Sequence, residues 1–383
     1  MKRLITSLIL IGLVLTGCSK STVAPPPPVT APTAPQITQK PAWETQWETT
    51  VAEAKKEGKV VVYTLWSSAA RGALTTGFKN KYGIDVEFTP FSRGSDFIAK
   101  IQAEQRAGLY LADVFGAGAT TLISTMKPAG LLGDVEPILI LPEVKDPKVW
   151  RDNKFPYLDE GRTTIGIIGM VLPTLVVNNT MIKDGEITSV KDILKPEYKD
   201  KITLNDPTVP GSGNAIIAMM ADWLWNEQEA MDFLKALLKN GAVVERDNRT
   251  GVEWVARGKY PIGVGPHTES LAQFISMGSP LSIPNIKEPP NGTASSGGLA
   301  IPTKFANPNA AKVFMNWMLS KEGQSIFATT YLNPSRRIDA STEGIDPIFI
   351  PKPGQKIFWD EERTIKGKGR IMAATKAIIE AAQ

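Results

Sequence analysis

Cysteine occurs once, at Cys18, and histidine once, at His267. A lone cysteine excludes an internal disulfide framework. One cysteine and one histidine also leave too few ligands for a zinc centre of the usual kind. There is no long basic run, and 43 Lys and Arg against 39 Asp and Glu leave a net charge of only +4. That balance excludes the electrostatic footprint of a nucleic-acid binder. Seven tyrosines are present, but no two are adjacent. The G-x-S-x-G elbow and H-E-x-x-H motifs are missing as well, which removes the usual signatures of a serine hydrolase and a zinc protease.

What is present begins at the N-terminus. "MKRLITSLILIGLVLTGC" has a basic start at Lys2 and Arg3, followed by an apolar run over residues 4–15. The run is short for a membrane span and fits the hydrophobic core of a secretory signal. "LTGC", residues 15–18, resembles the lipobox of bacterial lipoproteins. The resemblance implies cleavage before Cys18 and lipid on its sulfur, and so an extracytoplasmic protein held at the membrane. Residues 1–17 are then signal, and residues 18–42 a tether. The tether "SKSTVAPPPPVTAPTAPQITQKP" is rich in proline and poor in large apolar residues, so it cannot form a core. As polyproline II it spans at most roughly 70 Å.

From Trp43 onward the pattern changes. "WETQWETTVAEAKKEGK" has helical spacing with Gly58 as its stop. "VVVYTLW" is a buried strand, and "SSAARGALTTGFKNKYG" a helix capped by Ser67 or Ser68. Strand and helix alternate again through "IDVEFTPF", "GSDFIAKIQAEQRAG", "ADVFGAG" and "ATTLISTMKPAG". The alternation returns in "KITLNDP", "GSGNAIIAMMADWLW", "EAMDFLKALLKNG", "GAVVERD", "GVEWVARG", "YPIGVGP" and "HTESLAQFISMG". Such alternation predicts two doubly wound α/β halves. Extended segments at 163–182 and 293–304 are long enough to run between them. "NPNAAKVFMNWMLSKEGQSIF" predicts one helix, with Asn307 as cap, Pro308 in first position, and Val313, Phe314, Trp317 and Met318 on one face.

Taken in order, "AKKEGKVVVYTLWSS", "IAKIQAEQRAGLYLADVF", "LVVNNTMI", "YKDKITLNDPTVPGSGNA", "GKYPIGVG", "GGLAIPTKFANPNAAKVFMNWMLSKEGQ" and "NPSRR" make the body from residue 43 to 383 resemble the solute-binding proteins of ABC importers. The branch is the one that includes ferric-ion and phosphonate binders. The resemblance implies the α/β fold of periplasmic binding proteins of type II, two Rossmann-like lobes joined by two crossing strands. It implies lobe 1 at 43–168 and 300–383 and lobe 2 at 169–299. It also implies a monomeric receptor rather than an enzyme, without a cofactor, that closes on its ligand and delivers it to a membrane permease.

In open α/β sheets, ligands sit beyond the carboxyl ends of the strands. The turns expected there are Trp66-Ser67-Ser68, Ser92-Arg93-Gly94, Gly116-Ala117-Gly118, Gly211-Ser212-Gly213 and His267-Thr268-Glu269. Most lead into a helix, whose N-terminal amides and partial positive charge favour an anion. The expected ligand contacts are Trp66, Ser67, Ser68, Arg93, Gly118, Gly211, Ser212, Gly213, Arg249, His267, Thr268 and Glu269. Arg93 and Arg249 are candidates for fork-like contacts to an oxyanion. The expected ligand is a phosphonate, phosphate ester, carboxylate or chelate.

Alternatives remain open. The resemblance implies that ferric-binding members carry adjacent tyrosines near the turn that "GPHTES" occupies here, and this chain has none, so no residues are assigned to a metal; a ferric-iron or ferric-chelate binding protein stays an alternative. A tethered hydrolase with Ser212 or Ser67 as nucleophile and His267 as base would need those groups within hydrogen-bond reach. A sensory lipoprotein on the same scaffold is a further reading.

Overall fold

The computed structural model describes residues 40–382. The signal segment, Cys18 and nearly all of the tether lie outside them. In chain order the elements are α1 (Ala42–Glu57), β1 (Lys59–Thr64), α2 (Ser68–Tyr82), β2 (Asp85–Pro90), α3 (Gly94–Arg106), β3 (Val114–Ala117), a π-helical turn (Thr121–Met126), α4 (Pro142–Lys145), β4 (Thr164–Gly166), β5 (Met170–Leu172) and β6 (Leu175–Asn178). They continue with β7 (Ile202–Asn205), α5 (Ser212–Met219), α6 (Glu227–Lys239), β8 (Val243–Glu245), α7 (Asn248–Ala256), β9 (Ile262–Val264), α8 (Thr268–Ser276) and β10 (Leu281–Ser282). The last are β11 (Asn291–Thr293), β12 (Gly298–Ala300), α9 (Pro308–Leu319), α10 (Lys321–Tyr331), β13 (Phe358–Trp359) and α11 (Glu362–Ala382).

The strands form two five-stranded sheets in the orders β2-β1-β3-β12-β4 and β10-β6-β9-β7-β8, with a small sheet β13-β11-β5 besides. In the first sheet β1, β2 and β3 are parallel. In the second, β7 is parallel to β8 and β9. Two segments leave the first sheet together. Residues 164–172 run from β4, which pairs with β12, into β5, which pairs antiparallel with β11. Residues 291–300 run back the other way. The two predicted α/β halves and the two crossing segments are therefore present.

Local chemistry sets the boundaries. Gly58 ends α1 in the left-handed conformation at φ 78°, as its lack of a Cβ allows. Every position of β3 is buried, the expected signature of a strand covered on both faces. The predicted apolar face of α9 is fully buried at Val313, Phe314, Trp317 and Met318. Phe78 of α2 meets Phe314 at 5.3 Å and Trp317 at 5.2 Å between ring centroids.

Two expectations fail here. The single helix predicted from Asn307 is broken at Ser320 into α9 and α10. Ser320 Oγ donates to the Trp317 carbonyl at 2.7 Å and accepts from the Gly323 amide at 3.3 Å, so it caps α10. Asn307 does not cap α9 through its side chain. Its Nδ2 donates to buried Asp113 at 2.8 Å, and Glu57 at the end of α1 accepts from the amides of Asn309 and Ala310 instead.

The C-terminal helix α11 packs on α5 and α6 beside the second sheet and also touches the π-helical turn after β3. The resemblance implies instead that all of 300–383 lies with the first sheet. At its start, α11 is tied to the first-sheet side by Lys127, which sits 2.7 Å from Glu362 and 2.8 Å from buried Asp159. Burial lowers the Lys127 pKa, but the two carboxylates outweigh it and raise the pKa. Among the described residues no helix is long and apolar enough to cross a membrane.

Candidate ligand site

β1, β2 and β3 end on one edge of their sheet, at Thr64, Pro90 and Ala117. Beyond Thr64 the chain turns at Trp66, whose side chain is 1% exposed. Its Nε1 donates to the Ser296 carbonyl at 3.2 Å, and its ring meets Phe327 at 4.9 Å between centroids. A Cβ at Gly116 would lie 2.5 Å from that ring, so glycine there makes room for it. Trp66 therefore has no face left for a ligand, and its expected place among the ligand contacts is corrected: it is a core aromatic. Ser67 is the N-cap of α2, its Oγ accepting from the Ala70 amide at 3.3 Å. Ser68 is exposed. Arg71, overlooked in the sequence, donates to the Trp66 carbonyl at 2.7 Å and fixes the turn.

Arg93 precedes α3 in extended backbone and is exposed. Its guanidinium has no hydrogen bond or ion pair among the described residues. A Cβ on the next residue, Gly94, would lie 2.9 Å from Thr121 Oγ1. Thr121 opens the π-helical turn, and Gly118 faces it and the Ser295 carbonyl. Ser295 in turn accepts from the Ala119 amide at 3.1 Å. The turns after β1 and β3 thus meet at residues 295–296, where the returning segment enters the first sheet, and the turn after β2 meets Thr121.

On the second sheet, Gly211 precedes α5 in extended backbone. Asn205, at the end of β7, accepts from the Gly213 amide through Oδ1 at 3.0 Å and donates to Asn248 at 3.1 Å. A Cβ on Gly213 would lie 2.0 Å from the Asn205 carbonyl oxygen. The Gly213 amide is therefore spent on the fold, which corrects its expected role as a donor. The amides of Ser212 and Asn214, and the Ser212 hydroxyl, have no acceptor or partner among the described residues.

Gly265 at φ 59° closes against Gly213, and a Cβ there would sit 3.1 Å from the Gly213 Cα. Two residues on, His267 is the N-cap of α8. Its Nδ1 accepts from the Ser270 amide at 3.4 Å, and its Nε2 lies 3.1 Å from Glu269. With Nδ1 accepting, Nε2 carries the proton and donates to Glu269. Both ring nitrogens are occupied, and neither Ser212 nor Ser67 bonds to the ring. The nucleophile and base of the hydrolase reading are therefore not paired. Thr268 is 1% exposed. Arg249 is also committed: its Nη1 donates to Gln273, and its guanidinium lies 4.9 Å over Phe274. His267→Ala is expected to cost about 1 kcal/mol, the usual worth of an N-cap. Urea unfolding measures this, and an unchanged midpoint would remove the capping role.

Helix α11 brings the two sets of turns together. Ile365 packs with Ala119 and Ile123 on the first side. Three residues on, the Lys368 carbonyl accepts from Asn214 Nδ2 at 3.3 Å on the second. Side chains three apart on a helix lie roughly 5–6 Å from each other. Positions one turn apart on α11 thus touch the start of α5 and the residues around the π-helical turn. Nothing in the local sequence signals this, because it depends on a helix some 150 residues away from α5.

Residues 73–341 match the model of a family described as bacterial extracellular solute-binding protein. An uncharacterised protein of Haemophilus influenzae is 30% identical over 281 residues, covering 71% of this chain and 76% of the relative. Among solved structures, the periplasmic binding protein AfuA of Actinobacillus pleuropneumoniae, with fructose-6-phosphate bound, is 25% identical. It aligns over 85% of this chain and 97% of its own, with a TM-score of 0.55. The Trichodesmium protein IdiA (FutA), in complex with iron and citrate, is 18% identical over 85% of this chain and 99% of its own, with a TM-score of 0.63.

Proposed function

This chain belongs to the bacterial extracellular solute-binding proteins, and we propose that it is a lipid-anchored receptor for a small phosphate ester, which it hands to an ABC permease. The observation that carries this reading is the pair of unpartnered amides at Ser212 and Asn214, beside an α11 contact one turn from the contact that helix makes around the π-helical turn after β3. Such amides, with the helix dipole behind them, suit an oxyanion. AfuA, which resembles this chain over most of its length, holds a sugar phosphate.

The phosphate would take the Ser212 and Asn214 amides from one lobe. From the other it would take the open first turns of α2 and α3 at Ser68 and Arg93, with Gly118 leaving room for approach. Each partly buried helix terminus contributes up to about 2 kcal/mol. A charge-assisted bond from Arg93 adds roughly 1.5–3 kcal/mol. Ser68 and Arg93 are exposed, so three termini and one arginine reach the roughly 8 kcal/mol of micromolar affinity only once closure buries them around the ligand. The crossing segments at 164–172 and 291–300 serve as the hinge. Lobe 2 runs between them and carries α11 on its surface.

Calorimetric titration tests the reading. Sugar phosphates are expected to saturate the protein with micromolar affinity, and the same sugars without phosphate to bind at least about 100-fold more weakly. Equal affinity for the unphosphorylated sugar, or binding of ferric citrate alone, would overturn it. The anchor is tested separately: Cys18→Ser should move the protein from the membrane fraction to the soluble one, and unchanged membrane retention would refute the lipid.

A further inference from the structure

Arg336 and Arg337 stand side by side and are almost equally buried, at 5% and 4% exposure. Arg337 is fully matched: it donates to Asp339, Glu143 and the Leu319 carbonyl. Arg336 has no acceptor at all among the described residues. Its guanidinium carbon lies over Trp359, 3.9 Å from the ring centroid. Of its nitrogens only Nε is fully sealed, and that Nε is unpartnered. Arg151 is its neighbour, since the Arg151 amide donates to the Arg336 carbonyl at 2.9 Å. Arg151 Nε is likewise sealed without a partner.

Two acids, Asp152 and Glu361, act on Arg336 through their charge but hydrogen-bond to other groups. Asp152 accepts from Trp359 Nε1 at 2.6 Å, and Glu361 pairs with Lys154 at 2.9 Å. Burial depresses the pKa of both arginines, that of Arg336 to about 10. The charge of Asp152 offsets part of this at each arginine, and that of Glu361 adds to it at Arg336. No carboxylate bonds to either guanidinium, and buried donors left without an acceptor are costly.

The cluster sits on the crossing strands. The Arg336 amide donates to the Ile167 carbonyl at 3.0 Å, and the Gly169 amide to the Pro334 carbonyl at 2.7 Å. Trp359 covers Gly292 of β11. The next residue, Thr293, bonds through its hydroxyl to Asp360, which pairs with Lys368 and so leads to Asn214 and α5. Successive residues of a strand point to opposite faces. Arg336 and Trp359 are therefore on the other face of β11 from the candidate ligand site.

We propose that Arg151 and Arg336 form a second anion site on the hinge, taking a small inorganic oxyanion of the phosphate or sulfate type. Two guanidinium forks suit the several oxygens of such an ion, and Trp359 holds one fork in place. Because residues 334–336 are bonded to the crossing strand at 167–169, an occupied site ties that segment to the neighbourhood of Arg151 and stiffens the hinge.

The test compares melting temperatures in inorganic phosphate, sulfate and chloride at matched ionic strength. Phosphate and sulfate are expected to raise the melting temperature of the wild type by roughly 3–6 °C at saturation. The shift should persist in Ser212→Asp, which blocks the site between the lobes. Inorganic phosphate also suits the α5 turn, so the arginines are tested with Ser212→Asp present: there the shift should vanish on adding Arg151→Gln or Arg336→Met. In chloride, Arg336→Met should melt no lower than wild type, because it removes a buried guanidinium that has no hydrogen-bond acceptor. No shift in the wild type, one lost in Ser212→Asp, or one that survives Arg336→Met added to Ser212→Asp would overturn the proposal. Should Arg336→Met not fold, the half-buried Arg151→Gln added to Ser212→Asp decides alone: a surviving shift overturns the site and a lost one supports it.

Discussion

Ser212→Asp is expected to abolish binding of a phosphate-ester solute, weakening it by at least about 100-fold, while leaving the protein folded. Ser212 is the first residue of α5, and its hydroxyl has no partner among the described residues. A carboxylate there meets the solute's charge at close range. Two like charges about 4 Å apart, at an effective dielectric constant near 20, repel by about 4 kcal/mol. Partial screening leaves at least the 2.7 kcal/mol or so that corresponds to 100-fold. The same carboxylate sits favourably in the first helical turn, where an acidic side chain contributes about 0.3–1 kcal/mol. Stability and affinity therefore move in opposite directions, and the loss of binding is not explained by unfolding. Calorimetric titration and thermal melting of the one variant measure both. Affinity within threefold of wild type would remove the α5 turn from the site.

Gly213→Val is expected to be the most damaging single change in this region, costing about 3–5 kcal/mol or preventing folding altogether. The nearest atoms to a new Cβ are the backbone of Asn205 and Asp206, the closest at 2.0 Å. Backbone cannot step aside as a flexible side chain can, so the start of α5 must leave β7. That breaks the bond from the Gly213 amide to Asn205 Oδ1 and turns the free amides of Ser212 and Asn214 away. Gly211→Ala is the control. Its φ of 167° is ordinary extended backbone, and a Cβ there meets only Asn205 Oδ1 at 3.6 Å. Urea unfolding should leave Gly211→Ala within about 1 kcal/mol of wild type. Equal stability of the two variants would show that the close approach at Gly213 is not a constraint.

Much of the scaffold could be read from short stretches of chain. The alternation of strands and helices, the stop at Gly58 and the apolar face of α9 each depend on neighbours within about ten residues, and each is found. The break at Ser320 was also written locally, as a serine three residues before Gly323, but the apolar period running through it hid the cap. Asn307 shows the limit. Its side chain is well suited to capping, yet Asp113, 194 positions earlier, offers a charged acceptor and takes it.

By itself the sequence determined the α/β class, the two crossing segments and the positions of the turns that end the strands. Those follow from periodicity, and from glycine and serine chemistry at each turn. The tertiary structure alone decided which donors at those turns are still free. Gly213 gives its amide to Asn205, His267 its ring to Ser270 and Glu269, and Arg249 its charge to Gln273 and Phe274. Arg93 and the amides of Ser212 and Asn214 keep theirs. Arg336 and Arg337 are alike in sequence, and one is matched while the other is not. A hydrogen-bonding group is free or spent according to what the rest of the chain brings within about 3 Å of it. No local pattern records that.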